Sequence, residues 1–276
     1  MLAAAACGGA AWSDDLADGV LLLPSTLHEV SAIVAVDERT LACVQDEAGA
    51  LFFVDLLGER PARAAVFGEP GDYEGLARVG EQWWVLRSDG ELLRLGGGDR
   101  DLHVEARFRL QTGHRDFEGL CHDAANGCLL VLPKDRAGTG KAARHRRVVY
   151  GFDLKSLQLR AAPELEFDLQ DLVERADAKG ITLPKKTTPK GKVRADVGLL
   201  GSELLVVPGS TDLLLLSAVD NLLLRIDRAG QPIAAWQLDP EKLPQPEGLA
   251  VLPDGRLLVA SEGAKGTPVV CVVDWR

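Results

Sequence analysis

Short apolar runs alternate with turn residues along most of the chain, and they come in groups of four. Val30 to Val36 reads as a strand, Asp37-Glu38-Arg39 as a turn, and Thr40 to Gln45 as a second strand. Asp46-Glu47-Ala48-Gly49 turns into Ala50 to Asp55, and Leu56 to Arg60 turns into Ala62 to Phe67. Runs of this length bounded by Gly, Asp and Pro read as β-strands, and four joined in sequence make one propeller blade. The group recurs as Glu74 to Val79, Gln82 to Arg87, Glu91 to Leu95 and Leu102 to Leu110. Within it Trp83-Trp84 alternates across a strand, which places one ring in a core and the other at a blade interface or surface. A third group begins with Glu118 to His122 and Gly127 to Leu132. It breaks at a basic loop from Lys134 to Arg147 and resumes at Val148 to Asp153 and Leu159 to Phe167. A fourth reads Asp196 to Val207, Asp212 to Ser217, Leu222 to Asp227 and Pro232 to Leu238. The fifth, Glu247 to Leu252, Arg256 to Ser261 and Thr267 to Asp274, is one strand short. Gly19 to Leu23 is strand-like and supplies the missing strand, closing the ring without a long open edge.

The periodicity changes to helical once. Asp168 can cap a helix in which Leu169, Leu172, Val173 and Ala176 share a face, ending near Gly180. Lys185 to Lys192 follows, with Pro184 and Pro189 predicting loop. This insertion has too few apolar runs for a sixth blade. The expected fold is therefore all-β: a single five-bladed β-propeller of four-stranded blades. Its N-terminal strand closes the last blade, and a helical, basic insertion separates blades three and four. Residues 19–276 form the propeller domain, and 1–18 are a signal remnant or disordered linker.

A short acidic phrase opens the units: Asp72-Tyr73-Glu74-Gly75-Leu76, Asp116-Phe117-Glu118-Gly119-Leu120 and Gln245-Pro246-Glu247-Gly248-Leu249. Glu29-Val30-Ser31-Ala32-Ile33 and Arg194-Ala195-Asp196-Val197-Gly198 are weaker copies. A phrase returning at intervals of this size marks a propeller.

The net charge of −10 argues against a nucleic-acid partner and suits cations or basic partners. No apolar stretch is long enough for a membrane-spanning helix. The basic runs Lys141 to Arg147 and Lys185 to Arg194 read as solvated loops, or as docking sites for an anionic partner. The start, Met1-Leu2-Ala3-Ala4-Ala5-Ala6-Cys7, is like the end of a bacterial lipoprotein signal with Cys7 as the lipidated residue, although Ala4 stands where Leu is usual. That predicts attachment to a membrane through a lipid on Cys7. Cys121 and Cys128 flank a turn and stand as a candidate hairpin disulfide or as buried thiols.

Several phrases in order carry a family resemblance: Gln45-Asp46-Glu47-Ala48-Gly49, the Asp-aromatic-Glu-Gly-Leu repeats, Leu216-Ser217-Ala218-Val219-Asp220-Asn221, and Pro246-Glu247-Gly248-Leu249 with Ser261-Glu262-Gly263. From about Leu21 to Arg276 the chain resembles the SdiA-regulated, YjiK-like bacterial envelope proteins. The resemblance implies a five-bladed propeller distantly like NHL-repeat proteins, a bound calcium ion, and no settled activity. The chain departs from the family at Asp196, where Ser is usual.

The first strand of each propeller blade lines the central channel. Ser31, Glu74, Glu118, Asp196 and Glu247 are thus expected around its mouth, with Glu29, Asp72 and Asp116 on the same side two residues earlier. Second-strand ends add Asp46, Glu47, Arg87, Lys134, Asp135, Asp220, Ser261 and Glu262. Crowded carboxylates either take up protons or hold a cation. Calcium, with its many oxygen ligands and flexible geometry, suits Glu74, Glu118, Asp196 and Glu247 as the metal set. The five His residues show no zinc spacing. The phrase also has a structural reading, with Glu bonding neighbouring backbones and Gly permitting tight packing.

The expected function is a calcium-binding propeller of the bacterial periplasm or outer membrane, monomeric, presenting its mouth to a small molecule or an envelope protein. The alternative is a calcium-dependent hydrolase of the lactonase, esterase or phytase-like kind using the same site. A third reading is a scaffold that docks a partner through the basic insertion. Catalytic residues are not assigned, and no nucleophile-elbow sequence surrounds Ser210 or Ser217.

Overall fold

Five antiparallel sheets repeat one meander in the computed structural model, which describes residues 19–134, 145–187, 193–263 and 266–275. Blade one pairs Val30–Ala35, Thr40–Gln45, Ala50–Asp55 and Arg63–Val66 in that order. Blade two is Tyr73–Val79, Gln82–Arg87, Glu91–Gly96 and His103–Arg109. In blade three Phe117–Asp123, Cys128–Pro133 and Arg146–Asp153 pair in turn. The outer position is split, Leu165–Asp168 pairing with one half of Arg146–Asp153 and Gln158–Leu159 with the other. Blade four is Glu203–Val206, Leu213–Ser217, Leu222–Ile226 and Pro232–Gln237. Blade five is Pro246–Val251, Leu257–Ser261, Val269–Val273 and the N-terminal strand Val20–Leu22, with Val20 opposite Cys271. The ring closes as the pattern predicts, by a strand from one end of the chain completing a blade from the other. The proposed linker 1–18, with Cys7, lies outside the described residues, as does Asp135.

The apolar core is divided into five clusters, one between each pair of neighbouring blades. Strand alternation sends successive side chains into different clusters. Trp83 packs edge-on against Phe53 at 6.0 Å between blades one and two. Trp84 lies with Phe108 and Phe152 between blades two and three, so both rings are interface residues.

The insertion holds the helix Leu169–Ala178. Asp168 caps it, Oδ1 accepting from Gln170 N at 2.7 Å and Asp171 N at 3.4 Å. Leu169, Leu172 and Ala176 are buried against blades three and four. Gly180 at φ +70° lets Ile181 N reach Ala176 O at 2.8 Å, which ends the helix. Beyond it, where Pro184 and Pro189 predict loop, Lys185–Thr187 and Val193–Ala195 pair as a short ribbon. Cys43, Cys121, Cys128 and Cys271 are free thiols. Cys121 faces Leu130 and Cys128 faces Asp123 in the register, so the two hairpin cysteines are not opposite each other. Among the described residues no helix is long and apolar enough to cross a membrane.

Candidate functional site at the channel mouth

In four blades the first strand carries the same irregularity at its start. The register shifts between Val30 and Ala32, Tyr73 and Gly75, Phe117 and Gly119, and Pro246 and Gly248. The extra residues are Ser31, Glu74, Glu118 and Glu247. A bulge of this kind re-aims a side chain, and here it repeats around one axis. The glycine that follows is required by close approach of the blades. A Cβ on Gly75 would stand 2.6 Å from Leu120 Cβ and 2.9 Å from Glu118 O, and one on Gly248 would stand 3.0 Å from Ile33 Cγ1.

Blade four corrects the expectation for Asp196. Its first strand starts at Glu203, opposite Leu216, seven residues later than the sequence pattern suggests. Ser202 N also bonds Leu216 O at 2.9 Å, so Ser202 holds the bulge position and Glu203 stands where other blades have Gly or Ala. Asp196 is exposed and lies before the strand. The intervening segment is prevented from pairing by side chains from elsewhere. Asp220 accepts from Gly198 N at 3.0 Å and Leu199 N at 2.7 Å. Arg147 Nε donates to Leu199 O at 2.7 Å, and Leu199 is held at φ +41°. The mouth ring therefore reads Ser31, Glu74, Glu118, Ser202, Glu247. Ser202 and Glu203 went unassigned in the sequence because Val197 to Leu200 imitates a strand start. The available signal is the interval back from Ser217 to Ser202, which matches that from Pro133 to Glu118.

A second, outer tier extends the pairing of the first and second strands within blades one, two, three and five. Asp46 N, Ser88 N, Lys134 N and Glu262 N donate to Glu29 O, Asp72 O, Asp116 O and Gln245 O at 3.0 to 3.3 Å. The charges of Glu29, Glu47 and Asp72 act on Asp46, and those of Glu29 and Asp46 on Glu262, so these side chains lie near one another. Glu29, Asp46, Asp116 and Glu262 are half-buried, and Glu47 and Asp72 are exposed. The Ser88 hydroxyl donates to Asp72. Ser31, buried, donates to its neighbour Glu29 O at 3.3 Å.

Electrostatics distinguishes the groups. Glu118 is 3% exposed, and its Oε1 lies 2.5 Å from Lys134 Nζ, an ion pair between blade three's first and second strands. Burial pushes the Glu118 carboxyl up, with Lys134 opposing. Burial would lower Lys134, but Glu118 holds the ammonium well above its ordinary value. Glu74 is raised by burial, then by the Glu118 charge and Asp72. Glu247 is pushed up to about 8 by burial, then Glu118 and Glu262, with Lys134 and Ser202 working the other way. Asp46 goes up to about 6 through burial and the charges of Glu29, Glu47 and Asp72, and its Oδ1 is buried without a hydrogen-bond partner among the described residues. Burial also raises Glu262, with Glu29 and Asp46 adding to it. One ammonium thus serves three inner carboxyl groups, which are costly to ionise without a further cation.

The donors are hard oxygens from several blades, the type calcium takes. As they stand, no three His, Cys, Asp or Glu side chains among the described residues are gathered to hold a metal. Ligation would require the carboxyls to draw closer together.

No protein-family model matches the chain, and no curated protein matches it in sequence. Solved structures do. A glutaminyl cyclase from Myxococcus xanthus aligns over 92% of this chain and 95% of its own, at 17% identity and a TM-score of 0.58. A chain of a nidogen/laminin complex aligns over 84% and 72% respectively, at 11% identity and a TM-score of 0.50. At such identities the likeness is one of fold. The chain is a five-bladed β-propeller.

Proposed function

We propose that this protein is a binding module whose channel mouth takes a calcium ion, exchanged for protons held by Glu74 and Glu247, and with it a small molecule or partner. The observation that carries this reading is the charge imbalance at the mouth, where Glu118 is buried and Glu74 and Glu247 are half-buried. Among the described residues, Glu74, Glu118 and Glu247 share one ammonium, that of Lys134. A divalent cation would let the two unpaired carboxyls ionise, with Glu118 and the Ser202 hydroxyl at hand. The SdiA-regulated resemblance supports the same reading, since it implies a bound calcium ion. With it goes a place in the bacterial envelope, held by a lipid on Cys7. Loss of lipid labelling on Cys7→Ser is the expected outcome, and equal labelling of the two proteins would dismiss the anchor.

Titration calorimetry tests the cation. Calcium added to chelator-treated protein should give a heat that depends on buffer protonation enthalpy, with about two protons released near pH 7. Glu74→Gln with Glu247→Gln should abolish both heat and proton release. No heat and no thermal shift at millimolar calcium would sink the metal assignment.

A second reading, hydrolysis, is favoured by one observation. Glu118 is buried, paired with Lys134 and raised toward neutrality, as a general acid or base requires. A screen of lactones, aryl esters and phosphate esters with calcium present decides it. Turnover that Glu118→Gln leaves unchanged would count against this site.

A further inference from the structure

Below the mouth the channel continues as a cavity of about 240 Å³, walled by the first strands of all five blades. It lies below the ~300–1,000 Å³ of pockets that hold drug-sized ligands, so its occupant is small. Its walls are mostly aliphatic, among them Leu76, Leu120, Leu205 and Leu249, and one acid breaks them. That acid is Glu203, at the place where three other blades have glycine. It is 2% exposed. Oε1 accepts from Leu120 N at 3.0 Å and from Leu204 N at 2.8 Å, which fixes the carboxyl across blades three and four. Oε2 has no hydrogen-bond donor among the described residues, and Glu203 lines the cavity.

We propose that this cavity is a binding site for a small primary ammonium compound with a slim apolar body, whose ammonium is received by Oε2 of Glu203. Three features select that chemistry. First, an acid buried this deeply, with its other oxygen already fixed by two N–H groups, needs a partner for Oε2. Second, the five first strands are sheet edges, whose unpaired carbonyls, alongside N–H groups, offer further acceptors toward the channel. Two competing N–H groups, Leu120 and Leu204, are already taken by Oε1. Third, the aliphatic wall suits the hydrocarbon part. The other charge at the cavity, Arg78, is paired with Glu81 at 2.6 Å and lies over Trp83, so it does not compete for an anion at Glu203. Glu203 follows Ser202 directly, but its carboxyl lines the cavity, whereas the calcium reading rests on Glu74 and Glu247.

The test is calorimetric titration with n-butylammonium, n-butanol and calcium. Wild-type protein should bind butylammonium, and Glu203→Gln should weaken it at least tenfold. Gln keeps an acceptor for Leu120 N and Leu204 N but turns a donor toward the ligand. Butanol should bind both proteins equally. Glu74→Gln with Glu247→Gln, which removes the mouth carboxyls, should leave butylammonium unchanged while abolishing calcium heat. A thermal melt verifies folding, and Glu203→Gly, restoring the residue of the other blades, gives a second variant. Absence of butylammonium binding to wild type, equal binding by Glu203→Gln and Glu203→Gly, or loss only in the mouth variant would overturn the proposal.

Discussion

Replacing Glu247 by Gln removes a titrating group while keeping its size, and it should change how stability depends on pH more than stability itself. Glu247 is held at about 8 in the fold, against an ordinary value of 4.5. Between those values the folded protein keeps a proton that the unfolded chain has released. The unfolded state therefore binds fewer protons, and stability falls as pH rises through that window. One proton corresponds to about 1.4 kcal/mol per pH unit, so the span from about pH 5 to pH 8 amounts to roughly 4 kcal/mol. This is an upper bound, because the mouth is open to water and Ser202 and Lys134 ease ionisation. Urea unfolding followed by Trp fluorescence at pH 5, 6.5 and 8 measures it. Wild type and Glu247→Gln should be close at pH 5 and diverge upward, the variant being more stable at pH 8. Parallel curves for the two proteins would refute the claim that this carboxyl is protonated in the fold. Saturating calcium at pH 8 should bring wild type back toward the variant, since the ion replaces the proton.

Three other outcomes follow from the geometry. Gly75→Ala places a Cβ 2.6 Å from Leu120 Cβ and 2.9 Å from the Glu118 carbonyl, with backbone on one side; denaturation should show a loss of about 1–3 kcal/mol. Lys134→Met strands Glu118, costing about 2 kcal/mol at pH 8 and little at pH 5, where Glu118 takes a proton; the half-exposed ammonium keeps this below a fully buried pair. Asp168→Ala removes the acceptor of Gln170 N and Asp171 N and should cost about 1 kcal/mol, with hydrogen exchange accelerated in Leu169–Ala178.

The position of Lys134 and the raised carboxyls are facts of packing. In the sequence Lys134 is the first residue of a basic loop, and nothing local says that its ammonium meets Glu118 sixteen residues earlier. Nor does composition show which acids lose water. Glu74 and Glu118 look alike in the phrase pattern, yet one is half-buried and the other enclosed beside Lys134.

By itself the chain determined what depends on short-range chemistry. Alternating apolar runs and turn residues specify strands and their grouping in fours. Asp168 and Gly180 bound the helix, and the strand-like Gly19 to Leu23 matches the deficit in blade five. The repeated Glu-Gly marks the channel because each glycine meets the same neighbour in the next blade. Tertiary structure decided the rest. In blade four Arg147 and Asp220 hold Gly198 and Leu199 out of the sheet, shifting the strand start to Glu203. The apolar run there satisfies either register locally. Only hydrogen bonds from residues 21 to 52 positions away choose between them. That choice removes Asp196 from the ring, puts Ser202 in its place, and leaves Glu203 facing the channel.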